Sequence, residues 1–193
     1  MSAATAGADG TLRCPWGNSA ADYVSYHDDE WGVPLHGEGA LYERLTLEAF
    51  QSGLSWLTIL RKREGFRRAF AGFEPKVVAE FGDADVARLM ADTSIVRNRA
   101  KIDAAIRNAR AIADLDTPLD ELLWSFAPDP AARPRPATLA DVPATTPEST
   151  TMAKTLKKRG FAFVGPTTAY ALMQAVGLVD DHLQDCFVPP LAY

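Results

Sequence analysis

The sequence lacks the features that would direct a protein into a membrane or out of the cell. No apolar run approaches the length of a membrane-spanning helix, and residues 1–11 lack the basic-then-apolar order of a secretory signal. The chain also lacks an excess of positive charge. Its net charge of -5 at pH 7 argues against a protein whose whole surface coats nucleic acid. We therefore expect a cytoplasmic protein with no membrane partner.

The alternation of apolar and polar residues that is typical of half-buried strands is nearly absent. Apolar residues recur at helical spacing from residue 41 to residue 123, then over 151–159 and 167–176. The last two helices are predicted to end at Gly160 and Gly177, with a tight turn over 161–166 between them. The periodicity therefore predicts an all-α fold.

The length and composition indicate one domain. A chain of 193 residues with 47% hydrophobic residues can bury a substantial core and fold alone, and we expect a monomer. We expect flexible ends over 1–11 and 188–193 and a single domain over 12–187. Within that domain, residues 127–150 are rich in Pro, Ala and Thr and predict a long irregular connector.

Basic residues are grouped locally although the net charge is negative. Each of three groups lies in or beside a helical pattern and could contact phosphates, or could equally be a solvated helix face. The groups are Arg61, Lys62, Arg63, Arg67 and Arg68; Arg97, Arg99, Lys101, Arg107 and Arg110; and Lys154, Lys157, Lys158 and Arg159.

The chain has only two cysteines, and each has a histidine at a spacing seen among metal ligands. Twelve residues lie between Cys14 and His27, and three lie between His182 and Cys186. On a helix, the latter pair would share one face. A metal held by all four would tie the two ends of the chain together. One alternative is two unrelated buried thiols with two unrelated histidines, and another is a disulfide, which a reducing compartment disfavours. The remaining histidine, His36, has no cysteine partner and is expected to be exposed.

Aromatic residues are dense near the N-terminus. Between Cys14 and Trp56 the sequence contains Trp16, Tyr23, Tyr26, Trp31, Tyr42 and Trp56. Flat rings of this kind stack on nucleobases, at about 1 to 3 kcal/mol for each base. The competing interpretation is an ordinary aromatic core, to which we assign Trp31 and Tyr42.

Glu48 lies in an otherwise apolar stretch, where an anion is costly to bury without a partner. A cationic base would be such a partner, because the carboxylate accepts hydrogen bonds and stabilises positive charge. A surface glutamate or a helix cap is the alternative.

Several short motifs resemble the bacterial 3-methyladenine DNA glycosylase I family, in order along residues 13–186. The matching motifs are CPW at 14–16, YHDDEWGVP at 26–34, LE at 47–48, QSGLSW at 51–56, RNRAKI at 97–102, WSF at 124–126 and LKKRGFAFVG at 156–165. The resemblance implies a helix-hairpin-helix DNA glycosylase, with the hairpin region over 154–177. It also implies a structural Zn²⁺ at Cys14, His27, His182 and Cys186, joining the N- and C-terminal segments.

The resemblance further implies the roles of individual residues. Glu48 would read the amino edge of a flipped adenine, and Trp16, Tyr23, Tyr26 and Trp56 would form its pocket. Gly53 and Leu54 would enter the duplex that the base has left. The turn at Gly165, with Lys157, Lys158, Thr167 and Thr168, would hold DNA phosphates.

The implied reaction is the release of free 3-methyladenine from alkylated double-stranded DNA. Methylation at N3 makes the base a cation and a good leaving group, so little acid catalysis is needed. No lysine follows Lys158, so this region cannot supply a Schiff-base nucleophile and the product should be an abasic site. Asp180 and Asp181 are more consistent with support of His182 or a helix cap than with catalysis. The alternatives are a non-catalytic module that recognises damaged DNA and a glycosylase for another lesion such as 7-methylguanine.

Overall fold

The computed structural model describes residues 3–191, and within this range the chain forms nine α-helices. They are α1 (Ala21–Asp29), α2 (Glu38–Gln51), α3 (Trp56–Ala69), α4 (Pro75–Ala79), α5 (Asp83–Ala91), α6 (Arg99–Ala113), α7 (Leu119–Trp124), α8 (Pro147–Lys158) and α9 (Pro166–Ala175). The prediction of an all-α fold is confirmed. None of the helices in this range is both long and apolar enough to span a bilayer.

One small sheet lies near the N-terminus. Strand β1 (Thr5–Ala6) pairs antiparallel with strand β2 (Leu12–Arg13), so part of the segment that we expected to be flexible makes backbone contacts. Residues 1, 2, 192 and 193 of the expected flexible ends lie outside the described residues.

Helix α2 is the central element of the fold. Its residues 44–50 are all buried, so the helix is surrounded by protein instead of showing one solvated face. It packs against α3, α6, α7 and α9. Tyr42 belongs to this core, as the sequence predicted: it is fully buried, and its hydroxyl donates to the carbonyl of Ala105 at 2.9 Å. The central position of α2 explains how Glu48 comes to be buried.

A short turn connects α2 to α3. Gly53 adopts a φ of +80°, which favours glycine, and Ser55 caps α3 by accepting from the Thr58 amide at 3.2 Å. The ammonium of Lys101 donates to the carbonyls of Phe50 (2.8 Å) and Ser52 (2.5 Å). These contacts hold the turn in place and leave Leu54 41% exposed at its tip.

Helices α8 and α9 form the predicted hairpin region. Helix α8 begins at Pro147, four residues earlier than predicted, because Thr146 and Ser149 form a capping box ahead of a proline in the first turn. The helix ends before Gly160, whose φ is +93°. The buried side chain of Asn108 donates to the Ala162 carbonyl and accepts from its amide, which fastens the turn to α6.

The connector over 127–150 contains two short 3₁₀ helices, Pro130–Ala132 and Leu139–Asp141. Arg133 pairs with Asp181 at 2.7 Å, and Arg135 pairs with Asp180 at 2.7 Å while also donating to the Val188 carbonyl. The connector is therefore tied to the C-terminal segment by two partly buried ion pairs.

Candidate base pocket and metal centre

A cavity of about 390 Å³ opens between α1, α2, α3, α9 and the connector, within the size range of small-ligand sites. Its walls are largely aromatic, with a few polar groups. The lining residues are Trp16, Tyr23, Tyr26, Trp31, Glu48, Gln51, Trp56, Leu139, Val142, Ala171, Gln174 and Asp181. All five residues that the sequence assigned to the pocket line this cavity.

The aromatic rings of the pocket pack against one another, either edge to face or tilted. Trp16 meets Tyr23 with ring centres 5.6 Å apart at 82°, and Tyr26 meets Trp56 at 5.4 Å and 44°. The Tyr23 hydroxyl accepts from the amide of Leu57 at 2.9 Å, which attaches α1 to the start of α3. The Nε1 of Trp56 is buried and has no partner among residues 3–191.

Trp31 corrects one of our assignments, because it lines the cavity and is not part of the ordinary core. Its ring lies 5.0 Å from that of Trp16, at 80°. Its backbone carbonyl lies 3.0 Å from Nε2 of His182, at the proposed metal site. Trp31 thus contacts both the pocket wall and a candidate metal ligand.

Glu48 is the acidic residue that α2 places in the pocket. It is 5% exposed, and burial raises the pKa of its carboxyl to about 8, with the positive charge of Arg44 acting in the opposite direction. No group among residues 3–191 donates a hydrogen bond to it. Its oxygens therefore retain their full capacity to accept hydrogen bonds from a ligand.

The far wall of the pocket was not predicted from the sequence. It includes Leu139 and Val142 of the connector, Gln174 of α9, and Asp181. The only sequence signal for the first two was that they are apolar residues in an otherwise polar segment. Asp181 is 3% exposed and accepts from Tyr170 at 2.5 Å and Gln174 at 2.7 Å, as well as from Arg133.

Asp180 lies on the other side of this backbone and contacts the metal-site segment. Its Oδ1 accepts from the His182 amide at 3.3 Å, and its other oxygen pairs with Arg135. With their oxygens occupied by protein donors, both aspartates are engaged in supporting contacts.

The four candidate metal ligands converge in a buried cluster. The ligand atoms of Cys14, His27, His182 and Cys186 all lie within 4.8 Å of one another. The Cys186 sulfur is 3.5 Å from His27 Nε2 and 3.6 Å from His182 Nδ1. Two cysteines and two histidines form a donor set suited to a metal ion, and they join the two ends of the chain.

The surroundings of the cluster orient its histidines. His27 Nδ1 lies 2.8 Å from Asp28 Oδ1, which leaves Nε2 facing the sulfurs, while the Trp31 carbonyl leaves Nδ1 of His182 facing them. The hydrogen bond with Cys186, together with burial, raises the pKa of the Cys14 thiol. A bound cation would favour the thiolate form of both sulfurs.

The helix that we invoked for His182 and Cys186 is not present. Residues 182–186 form turns, with the Cys186 amide donating to the Leu183 carbonyl at 2.9 Å. The two side chains meet because the chain folds back on itself, and not because of helical spacing.

The predicted DNA-contacting residues lie on the surface. Lys157, Lys158, Gly165 and Thr167 are exposed and Thr168 is half-buried. His36 is also exposed, as predicted, and pairs with Asp120 at 2.8 Å.

The three basic groups differ in how many of their side chains make ion pairs or hydrogen bonds within the protein. In the first group Arg61, Arg63 and Arg67 make ion pairs, and in the second Lys101, Arg107 and Arg110 donate to backbone carbonyls. In the third group Arg159 pairs with Asp116, whereas Lys154, Lys157 and Lys158 are exposed and have no partner among residues 3–191. These three lysines retain their charge for an external anion.

Comparison with known proteins identifies the family. Residues 16–189 match the methyladenine glycosylase family. This chain belongs to that family. It is 42% identical over 179 residues to a DNA-3-methyladenine glycosylase of Haemophilus influenzae, covering 91% of this chain and 97% of the relative. It is 44% identical over 181 residues to DNA-3-methyladenine glycosylase 1 of Escherichia coli, covering 92% and 97%.

Solved structures of methyladenine glycosylases share the fold. The crystal structure of a 3-methyladenine DNA glycosylase I superposes with a TM-score of 0.86 at 44% identity, covering 92% of this chain and 100% of that one. The Staphylococcus aureus enzyme, solved to explain its recognition of 3-methyladenine, superposes with a TM-score of 0.86 at 35% identity, covering 94% and 98%. The resemblance seen in the sequence motifs is thereby confirmed.

Proposed function

We propose that this protein removes 3-methyladenine from alkylated double-stranded DNA by hydrolysing the N-glycosidic bond, leaving an abasic site and free base. The observation that carries the proposal is a buried glutamate without hydrogen-bond donors, set among aromatic rings that line the cavity. Such a pocket can hold a flat base by stacking, and its carboxylate can stabilise a positive charge on that base.

We propose residue roles that this geometry supports. Glu48 accepts hydrogen bonds from the amino edge of the flipped base and stabilises its charge, while Trp16, Tyr23, Tyr26 and Trp56 enclose it. The methylated base is already a good leaving group, so selection and positioning supply most of the catalysis. The chain after Lys158 contains no lysine that could act as a Schiff-base nucleophile, and we therefore expect hydrolysis without strand cleavage.

The activity is tested by incubating the full-length protein with methylated duplex DNA and measuring released bases by chromatography. We expect free 3-methyladenine. Binding of the DNA without release of any base would instead indicate a damage-recognition module, and release of 7-methylguanine in preference would indicate another lesion specificity. Alkali-independent strand breaks would contradict the hydrolytic mechanism.

We propose Zn²⁺ as the metal of the four-residue cluster. Two cysteine sulfurs and two imidazole nitrogens within 4.8 Å of one another match its preferred donor set, and four protein ligands leave no open position for water. The ion is therefore structural: it holds Cys14 and the aromatic segment that follows it against the C-terminal segment.

The hairpin between α8 and α9 is proposed to hold DNA phosphates, with the unpaired Lys157 and Lys158 beside it. Gly165 has a φ of -82°, which any residue can adopt, and an added Cβ would meet no atom within 4 Å. Gly165→Ala should therefore fold normally while its methyl group obstructs the approach of a phosphate. We expect DNA affinity to fall on the order of tenfold, equally for methylated and undamaged duplexes, as measured by fluorescence anisotropy. A loss confined to methylated DNA would contradict this role.

Leu54 is proposed to fill the space left in the duplex by the flipped nucleotide. Leu54→Ala should reduce excision from duplex DNA on the order of tenfold, because the unstacked gap is no longer filled. Excision from single-stranded methylated DNA, which has no such gap, serves as the internal control and should change little. Equal losses on both substrates would argue against a wedge.

A further inference from the structure

Helix α2 carries two buried charged residues one turn apart. Arg44 and Glu48 are 8% and 5% exposed, and their i, i+4 spacing places them on the same helix face. Charged residues are rarely buried to this extent without partners. The two positions therefore need a common explanation.

Arg44 is held at the edge of the pocket by Glu30 and Tyr26. Its Nη2 donates to Glu30 Oε2 at 2.6 Å, and its guanidinium lies over the Tyr26 ring, 5.6 Å from the ring centre. Glu30 is shared, because it also accepts two hydrogen bonds from Arg63 at 2.5 and 2.9 Å. One carboxylate thus serves two guanidinium groups.

These contacts leave one nitrogen of the Arg44 guanidinium without a hydrogen-bond acceptor. Its Nη1 is buried and finds no hydrogen-bond partner among residues 3–191. The group of Glu30, Arg44, Arg63 and Glu48 carries two positive charges and reaches neutrality only when Glu48 is ionised. The excess positive charge therefore favours the Glu48 carboxylate over the neutral acid.

We propose that Arg44 is a positioning and specificity-determining residue of the base pocket, which favours the carboxylate form of Glu48 that prefers a cationic base and fixes the ring of Tyr26 beside it. This proposal rests on the proposed function. It means that Arg44, which does not line the cavity, contributes to the preference of the pocket for a cationic base.

Other titratable or charged groups around Glu48 contribute less. Arg44 is the group whose charge lowers the pKa of Glu48, against the burial that raises it to about 8. The groups that face this region are Tyr26 and Glu30 from α1 and the residue after it, Arg63 from α3, and Tyr23 and Asp181 around the cavity. Arg63 is neutralised by Glu30, and Asp181 is occupied by its own donors.

The first test measures the charge of Glu48 directly, without DNA. Carboxyl ¹³C NMR of glutamate-labelled full-length protein identifies Glu48 as the resonance missing from Glu48→Gln. In Arg44→Met, which leaves the Glu30–Arg63 pair in place, we expect the pKa of Glu48 to rise by about one unit. Arg44→Lys should restore a value close to that of the wild type.

The second test follows kcat/KM for release of 3-methyladenine against pH. In Arg44→Met the ascending limb of this profile should move to higher pH by about one unit. At pH values on or below the limb, kcat/KM of the variant should be about tenfold lower than that of the wild type, and above the limb the two should be similar. Arg67→Met, on α3 outside the pocket, is the matched control and should leave the limb in place.

Two results would overturn the proposal: an unchanged pKa of Glu48 in Arg44→Met, or an equal loss of activity at every pH, which marks a purely structural role. Absence of 3-methyladenine release by the wild type would count against the proposed function instead, and the NMR titration would still test the coupling.

Discussion

Glu48→Gln is expected to lose excision of 3-methyladenine, on the order of 100-fold or more, while binding duplex DNA almost as well as the wild type. The amide keeps the shape of the side chain but removes the negative charge that favours a cationic base, which is an electrostatic contribution of this size in other enzymes. Single-turnover release of the base and anisotropy with undamaged duplex measure the two quantities. Equal losses in both would show that Glu48 supports the structure and does not select the base.

The same substitution should stabilise the protein at alkaline pH. The unfolded chain releases the Glu48 proton near pH 4.5, whereas the native protein retains it to about pH 8. Between these values the unfolded state binds fewer protons, so the wild-type free energy of unfolding falls as pH rises. Glutamine does not titrate, and we expect the free energy of unfolding of Glu48→Gln at pH 8.5 to exceed that of the wild type by about 2 to 4 kcal/mol.

Urea unfolding from pH 5 to pH 9 measures this difference, which should grow across the window and then level off. Glu43→Gln is the matched control, because Glu43 lies on the same helix but pairs with Arg67 away from the pocket. It should show neither the loss of excision nor the pH-dependent gain. A Glu48→Gln difference that is constant with pH would contradict a raised pKa in the native state.

Loss of one metal ligand is expected to give the largest loss of stability. Cys186→Ala leaves a three-ligand site with a buried thiolate and two buried imidazoles, and it releases the link between the two ends of the chain. We expect the bound metal to be lost and the free energy of unfolding to fall by about 3 kcal/mol or more, or roughly 10 °C in Tm. Metal content by mass spectrometry and thermal unfolding should change together.

His36→Ala is the control for that experiment, since His36 is an exposed histidine that contacts Asp120 and lies outside the cluster. It should retain the metal and the wild-type Tm. A strong chelator should reproduce the effect of Cys186→Ala on the wild type and have no further effect on the variant. One metal ion per chain retained in Cys186→Ala would exclude the four-residue site.

The metal site and the pocket are adjacent, so loss of the metal should also weaken binding of the base in the pocket. The Trp16 ring lies 5.1 Å from the His27 ring, and the Trp31 carbonyl contacts His182. Both tryptophans line the cavity. The cluster therefore supports one wall of the site as well as the ends of the chain.

Local patterns in the sequence were sufficient for the helices and for many candidate residues. Helical periodicity depends on which face of each segment is apolar, and it correctly indicated an all-α chain with a hairpin after Gly160. Two cysteines with nearby histidines suggested a metal, and a glutamate in an apolar stretch suggested a pocket. The four-residue metal set and the individual pocket roles were implied by the family resemblance, because spacing along the chain does not report contacts between its two ends.

Tertiary structure decided what lies together across distant segments. It moved Trp31 from the core to the cavity wall, and it brought Leu139, Val142 and Asp181 to the far side of the pocket. It also placed Arg44 beside Glu48 with Glu30 as a shared partner. Residues 182–186 meet the N-terminal ligands through turns, which periodicity does not report. Such contacts depend on how whole helices pack, and the free energy of that packing is summed over the core instead of being encoded in any one motif.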